Sequence, residues 1–429
     1  MKIGIIGGSG LENQNILEDF KTKEVETPFG KPSSSLITGR IENIDVVIIS
    51  RHGVKHEIPP TEVNNRANVF ALKAEGCKYI LATTAVGSLR EEIKRGDFII
   101  IDQFIDLTKN RKLTFFDKFE FGPIHAPMAN PFSEDLRKKL IESCEKLKFP
   151  FHKKGTVITI EGPRFSTKAE SNLFRQWGGH IINMSIAPEC ILANEAEIPY
   201  AAIAMTTDYD CWKEDEIPVT WDIIKKIMKD NAERMRKIVL DTIISFSREQ
   251  EIQKIKDKIR TIPDFPKKGI LFRDITPLLQ DKESLKRFTN IFHEKYKDIK
   301  IDIIAGIESR GFILAGILAE RLGTGLVLIR KPGKLPYETI KQEYSLEYGK
   351  DMVEMHKDSI KLGQKVLLVD DLIATGGTAL ASCNLIKKLG GQIVDCAFLI
   401  ELEELGGIEK LKKENHPSFS IVKFKENEM

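Results

Sequence analysis

Two adjacent carboxylates precede a run of glycine and threonine near the C-terminus. The apolar residues 366–369 predict a strand before them, and a helix is predicted over residues 379–389 after them. Backbone N–H groups at a helix N-terminus, glycines and threonine hydroxyls are typical of a phosphate site. The carboxylates would repel a bare phosphate, so the ligand should also carry hydroxyl groups or a divalent metal, as a phosphorylated ribose does. The string is Val369-Asp370-Asp371-Leu372-Ile373-Ala374-Thr375-Gly376-Gly377-Thr378.

A Gly-Gly-Thr turn alone favours an ordinary strand-loop-helix turn of a doubly wound fold, whereas the full string is far more specific.

A second set of candidate anion-binding residues lies near the N-terminus. Ser9 closes a glycine loop after a predicted strand, but the loop lacks dinucleotide-binding spacing because Asn13 stands where a glycine is needed. Arg51-His52 and Thr84-Ala85 each follow a predicted strand, and ligand sites in α/β proteins form at such carboxyl ends. The pattern favours a phosphate-handling domain. Considered individually, Arg51 could be an ion-paired surface residue and His52 a histidine whose hydrogen bonds are satisfied within a turn.

Composition limits the class of protein and its partners. The chain has 429 residues, 41% hydrophobic and 30% charged, with a formal charge of +2. These values predict two or three globular domains and indicate neither a nucleic-acid partner nor a membrane span. The six cysteines are scattered without metal or disulfide spacing, which favours a reducing cytoplasm.

Alternating apolar runs and helical patterns predict an α/β architecture. A closing helix over residues 223–244 ends a first domain, 1–246, and Ser247 with Gln250 has the form of a capping box that opens a new helix in a second domain, 247–429. Residues 331–351 read as a long polar connection, and such connections are often functional lids.

The C-terminal half resembles type I phosphoribosyltransferases, with a parallel sheet, and within them the adenine phosphoribosyltransferases. The segment at 369–378 matches their ribose-phosphate motif. Three further blocks carry the resemblance: Leu271-Phe272-Arg273-Asp274-Ile275-Thr276-Pro277, Ala305-Gly306-Ile307-Glu308-Ser309-Arg310-Gly311-Phe312 and Leu328-Ile329-Arg330-Lys331.

That resemblance implies a set of site residues and Mg²⁺ carried with phosphoribosyl pyrophosphate, with no organic cofactor. Glu347, in the closing loop, is the candidate for acid-base help. Pyrophosphate and ribose phosphate would be held by Ser309, Arg310, Arg330, Lys331, Lys334, Asp370, Asp371, Ala374, Thr375, Gly376, Gly377 and Thr378, with Leu271 and Arg273 at adenine.

The N-terminal half resembles the trimeric nucleoside phosphorylases, most closely those acting on 5′-methylthioadenosine. The blocks include Thr27-Pro28-Phe29-Gly30-Lys31-Pro32-Ser33, Glu161-Gly162-Pro163-Arg164-Phe165, Asn183-Met184-Ser185 and Thr207-Asp208-Tyr209-Asp210-Cys211-Trp212. The resemblance implies a phosphate site formed by Ser9, Arg51, His52, Thr84, Ala85 and Ser185.

The same resemblance implies a nucleoside site. Met184 would lie against the ribose, and His125 would reach a neighbouring subunit's 5′ pocket. Asp208 and Asp210 would face the purine, where a protonated carboxyl helps the base leave and a carboxylate accepts from an exocyclic amino group. Trp221 departs from the family, which has a small aliphatic residue beside the 5′ substituent.

Together the halves predict a bifunctional purine salvage enzyme with small-molecule substrates. The first half would release adenine from 5′-methylthioadenosine, and the second would convert it to AMP. Trimeric and dimeric families predict a hexamer of 32 symmetry. Two alternatives stay open: a first domain specific for inosine-type nucleosides or 5′-methylthioinosine, and a second domain that senses phosphoribosyl pyrophosphate without catalysis.

Overall fold

The computed structural model describes residues 1–7, 17–119, 122–213, 215, 221–345, 350–425 and 428. For residues 221–226, 228, 230, 345 and 350 the description covers the backbone. The chain divides into two compact units, Met1–Arg248 and Glu249–Met429. Among the described residues, no helix combines the length and the apolar character that a membrane crossing requires.

The first unit is α/β, which confirms the architecture predicted from the alternation of apolar runs and helical patterns. The strands are β1 (Lys2–Gly7), β2 (Glu18–Lys23), β3 (Leu36–Ile41), β4 (Ile44–Ser50), β5 (Tyr79–Ser88), β6 (Phe98–Ile100), β7 (Gln103–Leu107), β8 (Phe151–His152), β9 (Thr156–Ile160), β10 (Ile181–Asn183) and β11 (Tyr200–Asp208). The helices are α1 (Asn65–Ala74), α2 (Glu134–Leu147), α3 (Lys168–Gln176), α4 (Ile186–Glu195) and α5 (Trp221–Lys256).

Strand β5 is the branch point of the first unit's sheet. It pairs in parallel with β1 and β11 and in antiparallel with β10. The expectation that Thr84 and Ala85 come after a strand end is wrong, because β5 runs through Ser88. Strand β11 runs through Asp208. Pairing with β11 satisfies the backbone groups of β5 over this extra length, so Asp208 lies opposite Gly87.

Helix α5 is continuous from Trp221 to Lys256, so the predicted helix start at Ser247 is wrong. A capping box opens a helix only where the preceding backbone has left helical geometry. No glycine or proline lies within 221–256, and buried apolar residues continue on both sides of Ser247, from Ile243 and Phe246 to Ile255.

The second unit contains the predicted parallel sheet. Its order is β15-β14-β18-β19-β20, and every neighbouring pair is parallel. The strands of this unit are β12 (Arg260–Pro263), β13 (Leu271–Asp274), β14 (Ile303–Ile307), β15 (Gly325–Ile329), β16 (Thr339–Ser345), β17 (Lys350–His356), β18 (Lys365–Ile373), β19 (Gln392–Leu402) and β20 (Ser418–Phe424). The helices are α6 (Thr276–Gln280), α7 (Lys282–Tyr296), α8 (Gly311–Leu322), α9 (Gly377–Lys388) and α10 (Gly407–Lys413).

Parallel pairing brings two of the predicted motifs to one edge of this sheet. Strands β14 and β18 are neighbours, so Ser309-Arg310 and the segment after Asp370 lie at the same carboxyl edge. The polar connection predicted over 331–351 is in part a strand, because β16 forms an antiparallel hairpin with β17.

Candidate active sites

One cavity in the first unit gathers predicted phosphate-binding and purine-binding residues. It is lined by residues from β5, β10, β11, the start of α4 and the loop after β4. The predicted site residues along its wall are Arg51, His52, Thr84, Ala85, Met184, Ser185, Asp208 and Asp210. Sequence reasoning gave no role to His56, Phe165, Ser166, Asn183 and Thr207, which also line it.

Asn183 organises the hydroxyl groups of the phosphate region. Its Nδ2 donates to Thr84 Oγ1 over 3.4 Å, and its Oδ1 accepts from Thr159 Oγ1 over 2.9 Å. Thr84 Oγ1 lies 3.4 Å from Ser185 Oγ. Ser185 is the N-cap of α4, and its side chain makes no capping hydrogen bond, so its hydroxyl is available beside the helix N-terminus. Such a terminus with two hydroxyls suits an oxyanion.

Arg51 is held deep in the wall by a residue that the sequence did not single out. Its Nε and Nη2 donate to the carboxylate of Glu189, with Nη2 at 3.0 Å from Oε2, and its Nη1 donates to Thr83 O over 2.9 Å. Tyr200 Oη donates to the same carboxylate over 2.9 Å. Burial acts to lower the pKa of Arg51, but the charge of Glu189 and the hydrogen bond to it raise it overall. A guanidinium has five N–H bonds, so two remain for a ligand.

His52 is a neutral imidazole in this environment. Its Nδ1 lies 2.9 Å from Ile58 O, which requires a proton on Nδ1. Burial and the charge of Arg51 lower the pKa of His52 to about 4. Nε2 of the neutral ring therefore accepts, and it suits a protonated oxygen of phosphate or a hydroxyl of the sugar.

Asp208 is a buried carboxyl with both oxygens in contact with the protein. Oδ1 accepts from the Asp210 N–H over 2.7 Å, and Oδ2 lies 2.7 Å from Thr207 Oγ1. Burial raises the pKa of Asp208 to about 6, near the pH at which an enzyme works, which suits a general acid. A Cβ at Gly87 would lie 2.8 Å from Oδ1, so this approach requires glycine.

Asp210 shares the same end of the cavity. It adopts a left-handed backbone conformation, with φ of 50°, and is buried. Burial raises its pKa above the ordinary value, although Ser171 and Ser166 act to lower it.

The side chain of Met184 packs against the turn at Gly162. Gly162 has a φ of 70°, and a Cβ there would lie 2.4 Å from Met184 Sδ. Arg111 donates from Nε to Glu161 Oε1 over 2.8 Å and from Nη2 to Glu161 O over 2.6 Å. These contacts place the thioether in the cavity wall.

Three further residues of the first unit were predicted to belong to the site. Ser9 and the side chain of Trp221 lie outside the described residues. His125 is exposed, with its ring 5.9 Å from that of Phe119, and it does not line the cavity of its own chain. Its role toward a neighbouring subunit stays a prediction.

In the second unit, Asp370 and Asp371 meet the predicted pyrophosphate loop. Arg310 Nη2 lies 2.7 Å from Asp371 Oδ2, and Arg310 Nη1 donates to Arg273 O over 3.2 Å. Burial and the neighbouring charge of Asp371 raise the pKa of Asp370 well above its ordinary value. A Cβ at Gly311 would lie 2.6 Å from Asp370 Oδ1, so α8 begins against this carboxyl only because residue 311 is glycine.

The predicted phosphate cradle forms the start of α9. Gly376 is its N-cap, with φ of 74°, and Gly377 is the first helical residue. Gly376 packs so closely on α10 that a Cβ would lie 2.9 Å from Gly407 O. The half-buried Ala374, Thr375 and Thr378 line this turn.

Glu308 contacts all three residues that were predicted to contact pyrophosphate, two of them through their charged groups. It accepts from Arg330 Nη2 over 3.2 Å, from the Lys331 N–H over 3.0 Å and from Lys334 Nζ. Burial acts to raise the pKa of Glu308, but hydrogen bonds from Lys334 and Arg330 lower it to about 2. The Lys331 ammonium itself binds Asp351 and Tyr344 Oη.

The loop that carries Lys334 is built on another buried acid, Glu354. Its Oε1 accepts from the Gly333 N–H over 2.8 Å and the Lys334 N–H over 3.2 Å, and its Oε2 accepts from Thr339 Oγ1 over 3.2 Å. Glu354 lies on β17, so the hairpin positions this loop. Glu347 lies outside the described residues.

At the predicted adenine site, the Arg273 side chain is buried and used within the protein. Its guanidinium lies 4.2 Å over the Phe424 ring and donates to Thr261 Oγ1 over 2.5 Å. The backbone of Arg273 faces Arg310, whose guanidinium lies 4.9 Å over the Phe272 ring. Leu271 is two residues away on the same strand, β13.

The predicted strand end before Asp370 is wrong, because β18 runs on to Ile373 and contains both carboxylates. Their chemistry fits that of a magnesium-bound substrate. Among the described residues, no group of three His, Cys, Asp or Glu side chains could hold a metal ion by itself. Mg²⁺ keeps several waters and is commonly bound through one or two carboxylates plus substrate phosphates. Asp370 and Asp371 would supply the two carboxylates, directly or through water or the ribose hydroxyls.

The fold and these sites define a glycosyl-transferring protein of two catalytic families. The chain belongs to the phosphorylase superfamily, which matches residues 2–245. A phosphoribosyl transferase domain matches residues 274–428.

Individual relatives are similar to the first unit. S-methyl-5′-thioadenosine phosphorylase of Xenopus tropicalis is 55% identical over 247 residues, 57% of this chain and 88% of that protein. The enzyme of the same name from Thermofilum pendens is 48% identical over 255 residues, 59% of this chain and 95% of that protein. Methylthioadenosine phosphorylase from Schistosoma mansoni, solved with adenine, has a TM-score of 0.56 and 40% identity, covering 58% of this chain and 92% of that one.

Proposed function

We propose that the first unit cleaves 5′-methylthioadenosine with phosphate, giving adenine and 5-methylthioribose 1-phosphate. The observation that carries the proposal is that the predicted phosphate-binding and purine-binding residues line the same cavity. Thr84 and Ser185 form its anion region. Asp208, on β11, lies opposite Gly87, which is three residues after Thr84 on β5. Three residues along a strand span roughly 10 Å, which leaves room for a ribose between phosphate and purine.

The groups divide the chemistry between the two ends. Phosphate held by Thr84, Ser185, the α4 N-terminus and the two remaining N–H bonds of Arg51 would attack C1′. A protonated Asp208 would give its proton to N7 as the bond from C1′ to N9 breaks. Asp210 would accept from the exocyclic amino group of adenine, whereas a 6-oxo purine would present a lone pair to it.

The names of similar proteins support this assignment. Relatives that are about half identical are methylthioadenosine phosphorylases, and a solved relative binds adenine.

For the second unit, we infer transfer of adenine onto phosphoribosyl pyrophosphate, giving AMP and pyrophosphate. β13 pairs with β12, but Arg273 O accepts from Arg310, so the backbone groups of Arg273 point away from β12. Side chains and backbone groups alternate along a strand, so Leu271 presents its N–H and C=O to the same side. That edge can pair with the hydrogen-bonding edge of adenine.

The phosphoribosyl group would lie at the carboxyl edge of the parallel sheet. The cradle at Thr375–Thr378 suits the 5′-phosphate, and Arg330, Lys331 and Lys334 suit the pyrophosphate. Bound Mg²⁺ would neutralise charge on the departing pyrophosphate. Asp370 and Asp371 would hold the ribose hydroxyls or the waters of the ion.

A coupled assay tests both steps on the full chain. Incubation with 5′-methylthioadenosine, phosphate, phosphoribosyl pyrophosphate and Mg²⁺ should yield AMP. Accumulation of free adenine alone would reject the second assignment, and unchanged nucleoside would reject the first. Rates on 5′-methylthioadenosine, 5′-methylthioinosine, adenosine and inosine then test the roles of Asp208 and Asp210, because the 6-amino substrates should react faster.

We also propose a hexamer of 32 symmetry as the assembly. If the first unit forms trimers and the second forms dimers, this is the smallest closed assembly that satisfies both. Light scattering on the full chain should give six times the 48.6 kDa monomer mass, and a monomer would reject the proposal.

A further inference from the structure

The hydroxyl of Thr207 stands between two acceptors. Its Oγ1 lies 2.7 Å from Asp208 Oδ2 and 3.2 Å from Val86 O. Thr207 is 1% exposed, so these two protein oxygens are its hydrogen-bond partners in the fold. A hydroxyl has one proton, which it donates to one acceptor at a time. Which acceptor receives it depends on whether the neighbouring carboxyl is ionised.

We propose that Thr207 is a positioning residue whose hydroxyl turns from Val86 O to Asp208 Oδ2 as Asp208 loses its proton. This inference rests on the proposed phosphorolysis, in which Asp208 protonates the purine. While Asp208 is neutral, Oδ2 is a weak acceptor and the carbonyl of Val86 is the better partner. Once Asp208 is a carboxylate, a charge-assisted hydrogen bond to Oδ2 is the stronger one.

The proton and electron changes balance across this step. The O–H bond of Asp208 breaks and an N–H bond forms at N7 of the purine. The electron pair of the bond from C1′ to N9 passes to the purine, and a phosphate oxygen forms the new bond to C1′. The negative charge left on Asp208 is met by the Asp210 N–H at Oδ1 and by Thr207 at Oδ2. Thr207 thus stabilises the product form of the acid.

Other charges around Asp208 set the background for its titration. The charge of Asp210 acts to raise its pKa, and the charge of Arg95 acts to lower it. Arg51, His52 and His56 also line the cavity. These five charged or titratable residues are the same in every Thr207 variant, so a shift of the pH profile between variants reports on Thr207.

The test is the pH dependence of kcat/KM for phosphorolysis of 5′-methylthioadenosine by the full chain, at one phosphate concentration. Thr207→Val keeps the shape and removes the donor, so the carboxylate is less stable. The falling limb of the profile, where kcat/KM decreases at high pH, should therefore shift to higher pH by about one unit. At the pH optimum, kcat should drop about tenfold. Thr207→Ser should restore both.

A matched control lies one residue away. Thr206 is fully buried on the same strand, and its hydroxyl has no hydrogen-bond partner among the described residues. Thr206→Val is the same chemical change and should leave the limb in place. If Thr207→Val does not fold, Thr207→Cys, a weak donor, should give a smaller shift in the same direction.

Two results separate the hypotheses. If Thr207→Val is active and its kcat/KM falls over the same pH range as in the wild type, the role of Thr207 is overturned and the proposed function stands. Where Thr207→Val does not fold, the same result with Thr207→Cys has the same meaning. A wild-type chain that shows no phosphorolysis at any pH overturns the proposed function itself.

Discussion

The carboxylate of Glu189 binds the guanidinium of Arg51 at two nitrogens, although 138 residues separate them in the chain. Both side chains are buried, at 0% and 3% exposure. Glu189→Ala would leave Arg51 charged and without its main partner, so the first unit should lose about 3–5 kcal/mol of its free energy of unfolding. Glu189→Gln should cost less in stability but raise the KM for phosphate.

Tryptophan fluorescence during urea unfolding measures this loss, because Trp177, Trp212 and Trp221 all lie in the first unit. Glu145→Ala is the control, since Glu145 pairs with Lys153 at an exposed site. That pair should contribute less than about 1 kcal/mol. Equal losses in the two variants would contradict the importance of the buried pair.

Replacing the proposed acid should remove most of the first activity. Asp208→Asn should lower kcat for phosphorolysis by about 10²–10⁴-fold, the range for a general acid. In the wild type, kcat/KM should fall as pH rises above about 6, because burial raises the pKa of Asp208 to about 6 and the active form is protonated. Initial rates across pH check both points. A variant that keeps wild-type rates would exclude Asp208 as the acid.

The same carboxyl should make stability depend on pH. The pKa of Asp208 rises from 3.8 to about 6 on folding, so its favourable contribution is complete below pH 3.8 and lost as pH rises through 6. Asparagine does not titrate. The free energy of unfolding of Asp208→Asn, relative to wild type, should therefore rise by on the order of 3 kcal/mol between about pH 4 and about pH 7. A difference that does not vary with pH would argue against this titration.

Glu308 should act through the cations that it holds. Glu308→Gln weakens its bonds to Arg330 and Lys334, so we expect the KM for phosphoribosyl pyrophosphate to rise about tenfold or more while phosphorolysis is unchanged. Steady-state rates of AMP formation measure it. Glu338→Gln is the control, because Glu338 pairs with Lys357 at the surface. The idea fails if both variants keep the wild-type KM.

Two glycines of α8 give a paired test of the second site. In Gly311→Ala, the new Cβ would meet Asp370 Oδ1 at 2.6 Å and Asp370 Cα at 3.0 Å, so AMP formation should drop sharply. Gly316→Ala meets nothing within 4 Å, so it should keep activity and stabilise the helix by about 1 kcal/mol. AMP assays and thermal unfolding distinguish the two. Similar behaviour of both variants would contradict the close approach to Asp370.

Metal removal should separate the two activities. Chelation with EDTA should abolish AMP formation and leave adenine release unchanged, because in the proposed function only the second reaction has a magnesium-bound pyrophosphate as its leaving group. Added Mg²⁺ should restore AMP. Loss of adenine release on chelation would contradict the assignment of the metal to the second unit alone.

Local motifs were readable from the sequence because their physics is local. The strand before Asp370, the glycines that follow and the helix after them are adjacent in the chain, so their order alone predicts a phosphate cradle. Buried strands were predicted for the same reason, since each is a short apolar run. The helix start at Ser247 was predicted wrongly, because a capping box is a local signal and the backbone of α5 is already helical before it.

The amino-acid sequence by itself therefore determined the α/β class, the parallel sheet of the second unit and the positions of its anion-binding turn. Only the tertiary structure decided how the charges are paired. Glu189 pairs with Arg51, and Glu308 pairs with Arg330 and Lys334. The Thr207 hydroxyl lies between Asp208 Oδ2 and Val86 O. Most of these contacts join distant segments or different strands, and burial sets the strength and the pKa of each group, which no local pattern records.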